Sequence, residues 1–567
     1  MKHLVVIPLA FVVALCVGCG SDDDNKDTGG GSAVDAAVAA DGGSSATDSG
    51  SAAADSGSTA SDSGSAATDS GAGKPDSGGH GGAPKAPTTY KFTSVSEKGP
   101  GCYSGPPTHK CDCAVAEADC KGTWTDTCPC GPSSVSHGGQ TARHVLIAEM
   151  KTYLTDLTAE IKKDPDTYGK GGVVKDGINF FFLFDASVAG DQPFKLSTTP
   201  ETMQKTWNDL SAPNLKGKIA GNDAKGQHKE WKTEDTLQGW KLWAAGDLKT
   251  PEGLYNKWVG MIDDLAVSHA KGEAPKDPAG KDITKVFVNS AGHDLQQLLQ
   301  KYLLGAIAFS QGADDYLDDD TDGKGLKCDN TKPYTKGDKT YPYTALEHAW
   351  DEGKGYFGSS DDYNDYTDDE LAGKSDTKKN YFDTDGDGKI DLKTEYNFGH
   401  CLNAAKRDRG SQADSKTDYS KAIFDAFLQG RFIISSAKGA LSADAAKDLA
   451  AQRDIIVSNW EKAIAATVVH YINDVLADMA TIGTDTYSFY DHAKHWGELK
   501  GFGLSFQFSR FSPMKDDFVK FHDLVGDAPV LGTASADDQA AYIKALKDAR
   551  ALLGKAYGFA DKNVENW

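Results

Sequence analysis

Residues 456–475 read IVSNWEKAIAATVVHYINDV, a stretch without proline or glycine. Its large apolar side chains recur at steps of three and four residues, which is the spacing of one face of an α-helix. Residues 293–315 repeat this spacing, and both stretches therefore predict buried, amphipathic helices. The apolar positions are Ile456, Trp460, Ile464, Val468, Tyr471, Ile472 and Val475 in the first stretch, and Leu295, Leu298, Leu299, Tyr302, Leu303, Ala306 and Phe309 in the second.

Three further stretches show helical periodicity, at residues 141–162, 420–437 and 535–558. Alternating, strand-like stretches are scarce, and the best candidate is the short run at 179–183. The pattern predicts an all-α fold of helical bundles with long acidic loop insertions. We expect this body to span residues 136–567 and its acidic insertion to span residues 314–401.

The N-terminus predicts export and a lipid anchor. A short basic start at Met1–His3 precedes an apolar run that ends at Val17, which describes a signal peptide over residues 1–18. Val17-Gly18-Cys19 resembles the lipobox of bacterial lipoproteins, in which the cysteine is acylated. Gly20 takes the place of the aspartate that retains such proteins in the inner membrane, which favours the outer membrane or cell surface. The alternative is an ordinary cleaved signal peptide.

Two segments separate the anchor from the body. Residues 19–89 are rich in Asp, Ser, Gly and Ala and nearly free of large apolar residues, so they predict a disordered tether. Residues 90–135 predict a small disulfide-rich module, because the exported compartment is oxidising; a zinc knuckle is the alternative. Its six cysteines are Cys102, Cys111, Cys113, Cys120, Cys128 and Cys130.

The charge distribution favours cations as partners. The chain carries 83 acidic and 60 basic side chains, for a net charge of −23. Residues 20–89 contribute −8 (11 Asp against 3 Lys), and residues 314–395 contribute −12 (23 acids against 11 Lys). We expect no nucleic-acid binding, because binding to phosphate backbones requires Lys- and Arg-rich surfaces.

The acids near residue 383 have the spacing of an EF-hand-type calcium loop. Such loops place oxygens at positions 1, 3, 5, 7 and 9, a glycine at position 6 and an apolar residue at position 8. Gly388 and Ile390 fill the last two roles. Position 12 is Thr394 where a bidentate Glu is expected, and Glu395 lies one residue later; an acidic solvent loop is the alternative. The predicted calcium ligands are Asp383, Asp385, Asp387, the Lys389 backbone carbonyl and Asp391.

Two predicted helices combine histidine with carboxylates. Helical spacing places His348 on one face with Asp351 and Glu352, and His495 on one face with Glu498. Inward imidazoles and carboxylates on two helices of a bundle form a site for iron or zinc, and we expect the two helices to share one metal. The alternative is a pair of buried histidines satisfied by neighbouring carboxylates.

Cys328 and Cys401 flank the acidic region and stand apart from the other cysteines. Both follow carboxylate clusters, and the compartment is oxidising. We therefore predict a disulfide bond between them.

The stretch YTALEHAWDEGKGYFG at residues 343–358 resembles the signature of an uncharacterised bacterial lipoprotein family, domain-of-unknown-function family 4856. Similar echoes are NAAKRD (403–408), AFLQGR (426–431), residues 460–474 and HWGELKGF (495–502). The family more remotely resembles imelysin-like periplasmic proteins, which are all-α and carry a His-x-x-Glu motif linked to uptake of iron or other metals. The resemblance matches His348 to that histidine and Asp351 or Glu352 to its carboxylate.

These patterns predict a lipid-anchored, metal-binding protein of the cell envelope, active in metal acquisition or sensing, with an acidic loop stiffened by calcium. Its partners are the membrane and metal ions, and the sequence identifies no protein partner. We expect no enzymatic activity, because no nucleophile motif or phosphate-binding loop is present. Two alternatives remain open: a calcium-stabilised structural or adhesive surface protein, and a metal-dependent hydrolase using His348 with Glu352 or Glu498.

Acylation is tested directly at Cys19. We expect cells that express the chain to incorporate radiolabelled palmitate into it, and Cys19→Ser to abolish the label, because the thiol is the acceptor of the lipid. Labelling that persists in the variant would contradict the anchor.

Overall fold

The computed structural model describes residues 86–93, 133–223, 226–233, 235–375 and 377–567. The predicted signal peptide, Cys19, nearly all of the tether and the six clustered cysteines lie outside these residues. Thr93 and Ser133, which border the undescribed residues 94–132, pair in an antiparallel bridge.

The prediction of an all-α body is confirmed. Among the described residues, no helix combines the length and hydropathy that crossing a bilayer would require. Residues 304–309 and 312–316 are π-helical and continue the seventh helix. The α-helices are α1 (Gly138–Lys163), α2 (Pro165–Tyr168), α3 (Val173–Phe182), α4 (Ala186–Ala189), α5 (Trp207–Leu210), α6 (Pro251–Ala270), α7 (Leu295–Leu303), α8 (Ala345–Phe357), α9 (Asp368–Leu371), α10 (Gly399–Gly410), α11 (Tyr419–Ala437), α12 (Ala443–Ala480), α13 (Phe489–Gly503), α14 (Phe518–Val525), α15 (Ala536–Tyr557) and α16 (Asp561–Asn566).

The predicted strand at residues 179–183 is wrong, because this run forms the end of α3. The apolar residues there do not alternate. Ile178 and Phe182 lie four residues apart on one helical face and are both buried, and the Phe182 ring stacks on Tyr255 of α6 with ring centroids 3.7 Å apart. A short apolar run with helical spacing therefore forms a helix when a neighbouring helix covers its apolar face.

The observed strands lie elsewhere, in an antiparallel hairpin of β1 (Pro333–Lys336) and β2 (Lys339–Thr344). Gly337 makes the turn with a φ of +58°, a conformation that glycine adopts without strain. β2 runs directly into α8, where Thr344 caps the helix: its hydroxyl accepts from the Glu347 backbone N–H, and the Glu347 carboxylate accepts from the Thr344 N–H. The hairpin thus holds the first turn of α8 in place.

The core forms around α12, the helix that contains residues 456–475. α12 packs against α10, α11, α13 and α15. Trp460 is fully buried at its centre, in edge-to-face contact with Phe309 and Phe357 at centroid distances of 5.5 and 5.3 Å. The apolar stripe predicted from the sequence is therefore the inner face of the fold.

Close backbone approach places α8 against α11. A Cβ at Gly430 of α11 would lie 2.0 Å from the Trp350 ring of α8, so only glycine allows this packing. The Trp350 indole N–H donates to the Phe427 carbonyl at 2.9 Å. The close contact between α8 and α11 therefore requires a residue without a Cβ atom at position 430.

Gly430→Ala should destabilise the protein by about 1–3 kcal/mol, because the added methyl group overpacks a site without space. The matched control is Gly260→Ala on α6, where an added Cβ would meet no atom within 4 Å; this change should be neutral or slightly stabilising. Thermal unfolding followed by circular dichroism measures both. Equal effects of the two changes would show that the contact between Gly430 and Trp350 does not matter.

Candidate calcium loop and buried polar cluster of helix α8

The first three acids of the predicted calcium loop lie together. Asp383, Asp385 and Asp387 each offer a carboxylate oxygen within 4.8 Å of the others, and no other group of three His, Cys, Asp or Glu side chains does so in the described part of the chain. Oxygens that share one calcium ion at 2.3–2.6 Å lie at most about 5 Å apart. The spacing therefore suits a single calcium ion.

The loop backbone curls around its first acid. Asp383 accepts from the Gly386 N–H at 2.6 Å through Oδ1 and from the Gly388 N–H at 3.0 Å through Oδ2. Gly388 has a φ of +82°, the left-handed conformation expected of the glycine at the sharp bend. Asp385 in turn accepts from the Asp387 N–H at 3.0 Å. These bonds shape a turn in which the three carboxylates approach one another, although Asp385 and Asp387 remain exposed.

Glu395, rather than Thr394, braces the loop from its far end. Its Oε1 accepts from the Thr384 N–H at 2.7 Å and from the Asp385 N–H at 3.3 Å, and its Oε2 accepts from the Asp391 N–H at 2.9 Å. The side chain is buried, and burial raises its pKa. The residue that the sequence places one position late thus reaches both halves of the loop.

Asp391, predicted as a ligand, lies outside the group of three. Its Oδ1 accepts from the Gln204 side-chain amide at 2.8 Å and from the Lys393 N–H at 2.9 Å. Its neighbour Ile390 is fully buried and exchanges backbone hydrogen bonds with residues 201–203. This end of the loop is therefore anchored to the body.

A second cluster of polar side chains is buried along α8. Arg431 of α11 is fully buried and donates to Glu347 at 2.6 Å through Nη1 and to Asp351 at 2.9 Å through Nε. Its Nη2 donates to the carbonyl and hydroxyl of Ser134 at 3.0 and 2.9 Å. One guanidinium therefore ties α8, α11 and the segment that leads into α1.

Asp351 has further partners in the same cluster. The Tyr90 hydroxyl donates to its Oδ1 at 2.7 Å, and the Ser136 N–H donates to its Oδ2 at 3.2 Å. Burial raises the pKa of Asp351 to about 6, against the opposing charge of Arg431. Both oxygens of this carboxylate therefore have protein donors, and its cationic partner in the described structure is Arg431.

His348 and Glu352 occupy the adjacent face of α8. The His348 Nδ1 lies 3.2 Å from the Ser136 carbonyl, and its Nε2 lies 3.7 Å from a Glu352 oxygen. The ring stacks on Tyr343 of β2 with centroids 4.7 Å apart. Glu352 also accepts from the Gln140 side-chain amide of α1 at 2.9 Å. This arrangement is that of a buried histidine satisfied by its surroundings.

The histidine of α13 has separate partners. His495 Nδ1 lies 2.8 Å from Asp478 of α12. Burial opposes its charged form, but the hydrogen bond and the charge of Asp478 outweigh this and raise the pKa of His495. Glu498 accepts from the Tyr471 hydroxyl at 2.9 Å and lies 3.4 Å from the Lys301 ammonium group.

The structure does not bring the two histidine helices together at one metal site. His348, Asp351, Glu352, His495 and Glu498 supply no group of three ligand atoms within 4.8 Å, although all five lie in the described residues. The carboxylates have separate partners: Arg431 and Gln140 bond to Asp351 and Glu352, whereas Tyr471 and Lys301 contact Glu498. Binding of iron or zinc by these side chains stays a prediction.

The predicted disulfide between Cys328 and Cys401 is not formed. Cys401 is a fully buried thiol on α10 that donates to the Phe398 carbonyl at 3.0 Å, and burial raises its pKa. The Cys328 sulfur, half-buried, lies 3.4 Å from the Gly323 carbonyl. Each thiol thus has a backbone carbonyl as its partner, and Cys401 is fully enclosed by the packing of α10.

Sequence reasoning missed two buried lysines that form ion pairs with aspartates. Lys354 of α8 and Lys500 of α13 are fully buried and bond to Asp361 at 2.7 Å and Asp527 at 3.2 Å. A signal was present, because Trp-x-Glu-x-Lys-Gly followed by an aromatic residue occurs at both 350–356 and 496–502. A lysine at the same place in two apolar helices indicates a buried ion pair.

Comparison with known proteins identifies a domain but no characterised relative. Residues 260–518 match the family described as Domain of unknown function (DUF4856). This confirms the resemblance carried by the α8 signature, and the matched segment includes the acidic loop and α13. No curated protein and no solved structure matches the chain.

Arg431→Met should destabilise the protein by about 3–5 kcal/mol, because it leaves the Glu347 and Asp351 carboxylates buried without their cation. Asp351 has a pKa of about 6 in the folded protein, above its usual value of about 4. The stability of the wild type therefore falls as pH rises from about 4 to about 6. Loss of the guanidinium steepens this dependence, and the destabilisation should shrink as pH falls well below 6.

The control is the triple change Arg431→Met, Glu347→Gln and Asp351→Asn, which removes the buried charges together and should recover part of the loss. Chemical denaturation across pH measures all variants. A pH-independent loss of stability in Arg431→Met would contradict the role of the ion pair.

Proposed function

We propose that this protein is a lipid-anchored, calcium-binding protein of the bacterial outer membrane or cell surface, in which calcium stiffens the acidic loop and the region around it. The observation that carries the proposal is the convergence of three carboxylates, from Asp383, Asp385 and Asp387, within 4.8 Å. Calcium prefers six to eight oxygen ligands at flexible geometry, which backbone carbonyls and water complete.

The residues around the loop fit calcium. Asp383, Asp385 and Asp387 would supply the first ligands, the Lys389 carbonyl the next, and Glu395 or Asp391 the closing oxygen. Glu395 is the better placed of the two, because it already spans the loop from Thr384 to Asp391. The ion would also offset local repulsion in a segment of net charge −12 (23 acids against 11 lysines over residues 314–395).

Calcium bound at this loop would stabilise the neighbouring segments that contact the buried polar cluster of α8. The Thr394 carbonyl accepts from the Asp361 N–H at 2.7 Å, and the Asp361 carbonyl accepts from the Tyr90 N–H at 2.7 Å. The Asp361 carboxylate also forms an ion pair with Lys354 of α8. A short chain of hydrogen bonds thus connects the loop with the buried ion pairs, so that order in the loop is transmitted to the core.

The geometry favours a structural or adhesive role over transition-metal capture. His348 and His495 each contact a protein oxygen within 3.2 Å, and their helices do not converge on one group of ligands. A hydrolase built on His348 and Glu352 would need an open coordination position facing a cleft, whereas both side chains are buried between α1, α8 and the hairpin.

Calcium should raise the melting temperature of the full-length protein, because an ion that binds only the folded state adds about 2.7 kcal/mol at a hundredfold excess over its Kd. Asp385→Ala should remove this gain, and magnesium should reproduce it poorly, since magnesium demands a smaller octahedral site. Differential scanning calorimetry with calcium and with chelator measures the effect.

The matched control is Asp322→Ala, which removes an acid whose side chain is 99% exposed in the same acidic region. This variant should keep the full calcium response. Identical melting of the wild type with calcium and with chelator would reduce the loop to a solvated turn.

A further inference from the structure

A cavity of about 350 Å³ lies where the β1–β2 hairpin, the start of α1 and the exit of the acidic loop come together. Its volume falls in the range of small-molecule sites. Several of its walls are side chains that the packing of the body holds in place, since Tyr343, Asp361 and His137 are only 4%, 5% and 6% exposed. The cavity is therefore formed by the fold and not by mobile surface side chains alone.

The charged side chains that line the cavity cancel one another. Lys339 of the hairpin and Lys393 of the loop exit contribute two positive charges, and Asp361 and Asp391 contribute two negative charges. Burial lowers the pKa of His137, so the imidazole adds no charge. An anionic ligand would approach two carboxylates and a cationic ligand would approach two ammonium groups. The lining therefore favours a ligand without net charge.

A purely apolar ligand is disfavoured for a different reason. It would separate four charged side chains from water without replacing their hydrogen bonds, and such desolvation is costly. Hydroxyl groups of the ligand avoid this cost, because each can donate to a carboxylate and accept from an ammonium group. The side chains of Ser136 and Thr394 line the same space. The polar part of the lining therefore matches an uncharged molecule with several hydroxyl groups.

The hairpin gives the cavity an aromatic side. Tyr341, Pro342 and Tyr343 of β2 all line it. The two tyrosines are two residues apart on one side of the strand, with ring centroids 5.2 Å apart, and Tyr343 stacks in turn on His348 of α8. Tyr341 is half-buried and so keeps part of its surface accessible. A tyrosine ring offers an apolar surface next to a polar tip.

We propose that this cavity binds a neutral sugar unit of a glycan, with the C–H face of the sugar ring against Tyr341 and its hydroxyl groups bonded to Lys339, Lys393 and Asp391. A sugar ring combines an apolar face with a rim of uncharged hydroxyl groups, which are the two properties that the lining favours. The inference rests on the adhesive role proposed above, for which it names a class of partner. It does not rest on calcium, since the hairpin and the start of α1 lie outside the acidic loop.

The probes are the methyl glycosides of glucose, mannose, galactose and N-acetylglucosamine, each titrated into the full-length protein and followed by saturation-transfer NMR. We expect saturable binding of at least one of them, with little change between low and high salt, because the ligand is uncharged. Tyr341→Ala should weaken this binding about tenfold, whereas Tyr341→Phe should retain it, because phenylalanine keeps the ring. Lys393→Met should also weaken it about tenfold through the loss of a charge-assisted contact.

Phe180→Ala is the matched control, because Phe180 is an aromatic side chain of α3 that is 36% exposed but does not line the cavity; it should bind as the wild type does. Thermal melting shows which variants keep the fold. Glucosamine and glucuronate test the balance of charge, and free tyrosine tests a zwitterionic ligand; all three should bind more weakly than the neutral glycosides.

Tighter binding of any of these charged probes than of every neutral glycoside would overturn the proposal. So would undiminished binding in Tyr341→Ala, or no binding of all four glycosides to the wild type. The titrations are repeated with calcium and with chelator. Sugar binding in a protein whose melting temperature ignores calcium would contradict the calcium site alone, whereas a calcium response without sugar binding would contradict this inference alone.

Discussion

The ion pairs of Arg431 are the constraint on which the rest of the structure depends. A guanidinium with no exposed surface is tolerated only where every charge and donor around it is matched, because moving an unpaired ion out of water costs several kcal/mol. Glu347, Asp351 and Ser134 meet that condition from two different parts of the chain. The network therefore selects one arrangement of α8, α11 and the segment before α1, and alternative packings of these apolar helices would leave a charge unmatched.

From this network the structure extends outward along α8. Lys354, two turns beyond Glu347, pairs with Asp361, and Asp361 holds both Tyr90 and Thr394 through its backbone. The same lysine contacts His137, at the start of α1. The acidic loop and the start of α1 are thus both attached to one buried helix. This explains why a helix inside the most acidic part of the chain is also among the most deeply buried: its acids are internal partners, not a solvated surface.

Periodicity alone determined the all-α class, the stripe from Ile456 to Val475 and the acid spacing around Asp383, because these features depend on neighbours a few residues apart. The hairpin at 333–344, the burial of Lys354 and the partners of His348 could not be read in this way. Each depends on which distant element covers a side chain: Arg431 lies 80 residues from Asp351, and Ser136 lies 212 residues from His348. The sequence placed His348 and His495 on helical faces correctly, but only the tertiary structure decided that those faces turn to different neighbours. Local spacing specifies which face of a helix is polar, whereas long-range packing specifies what that face meets.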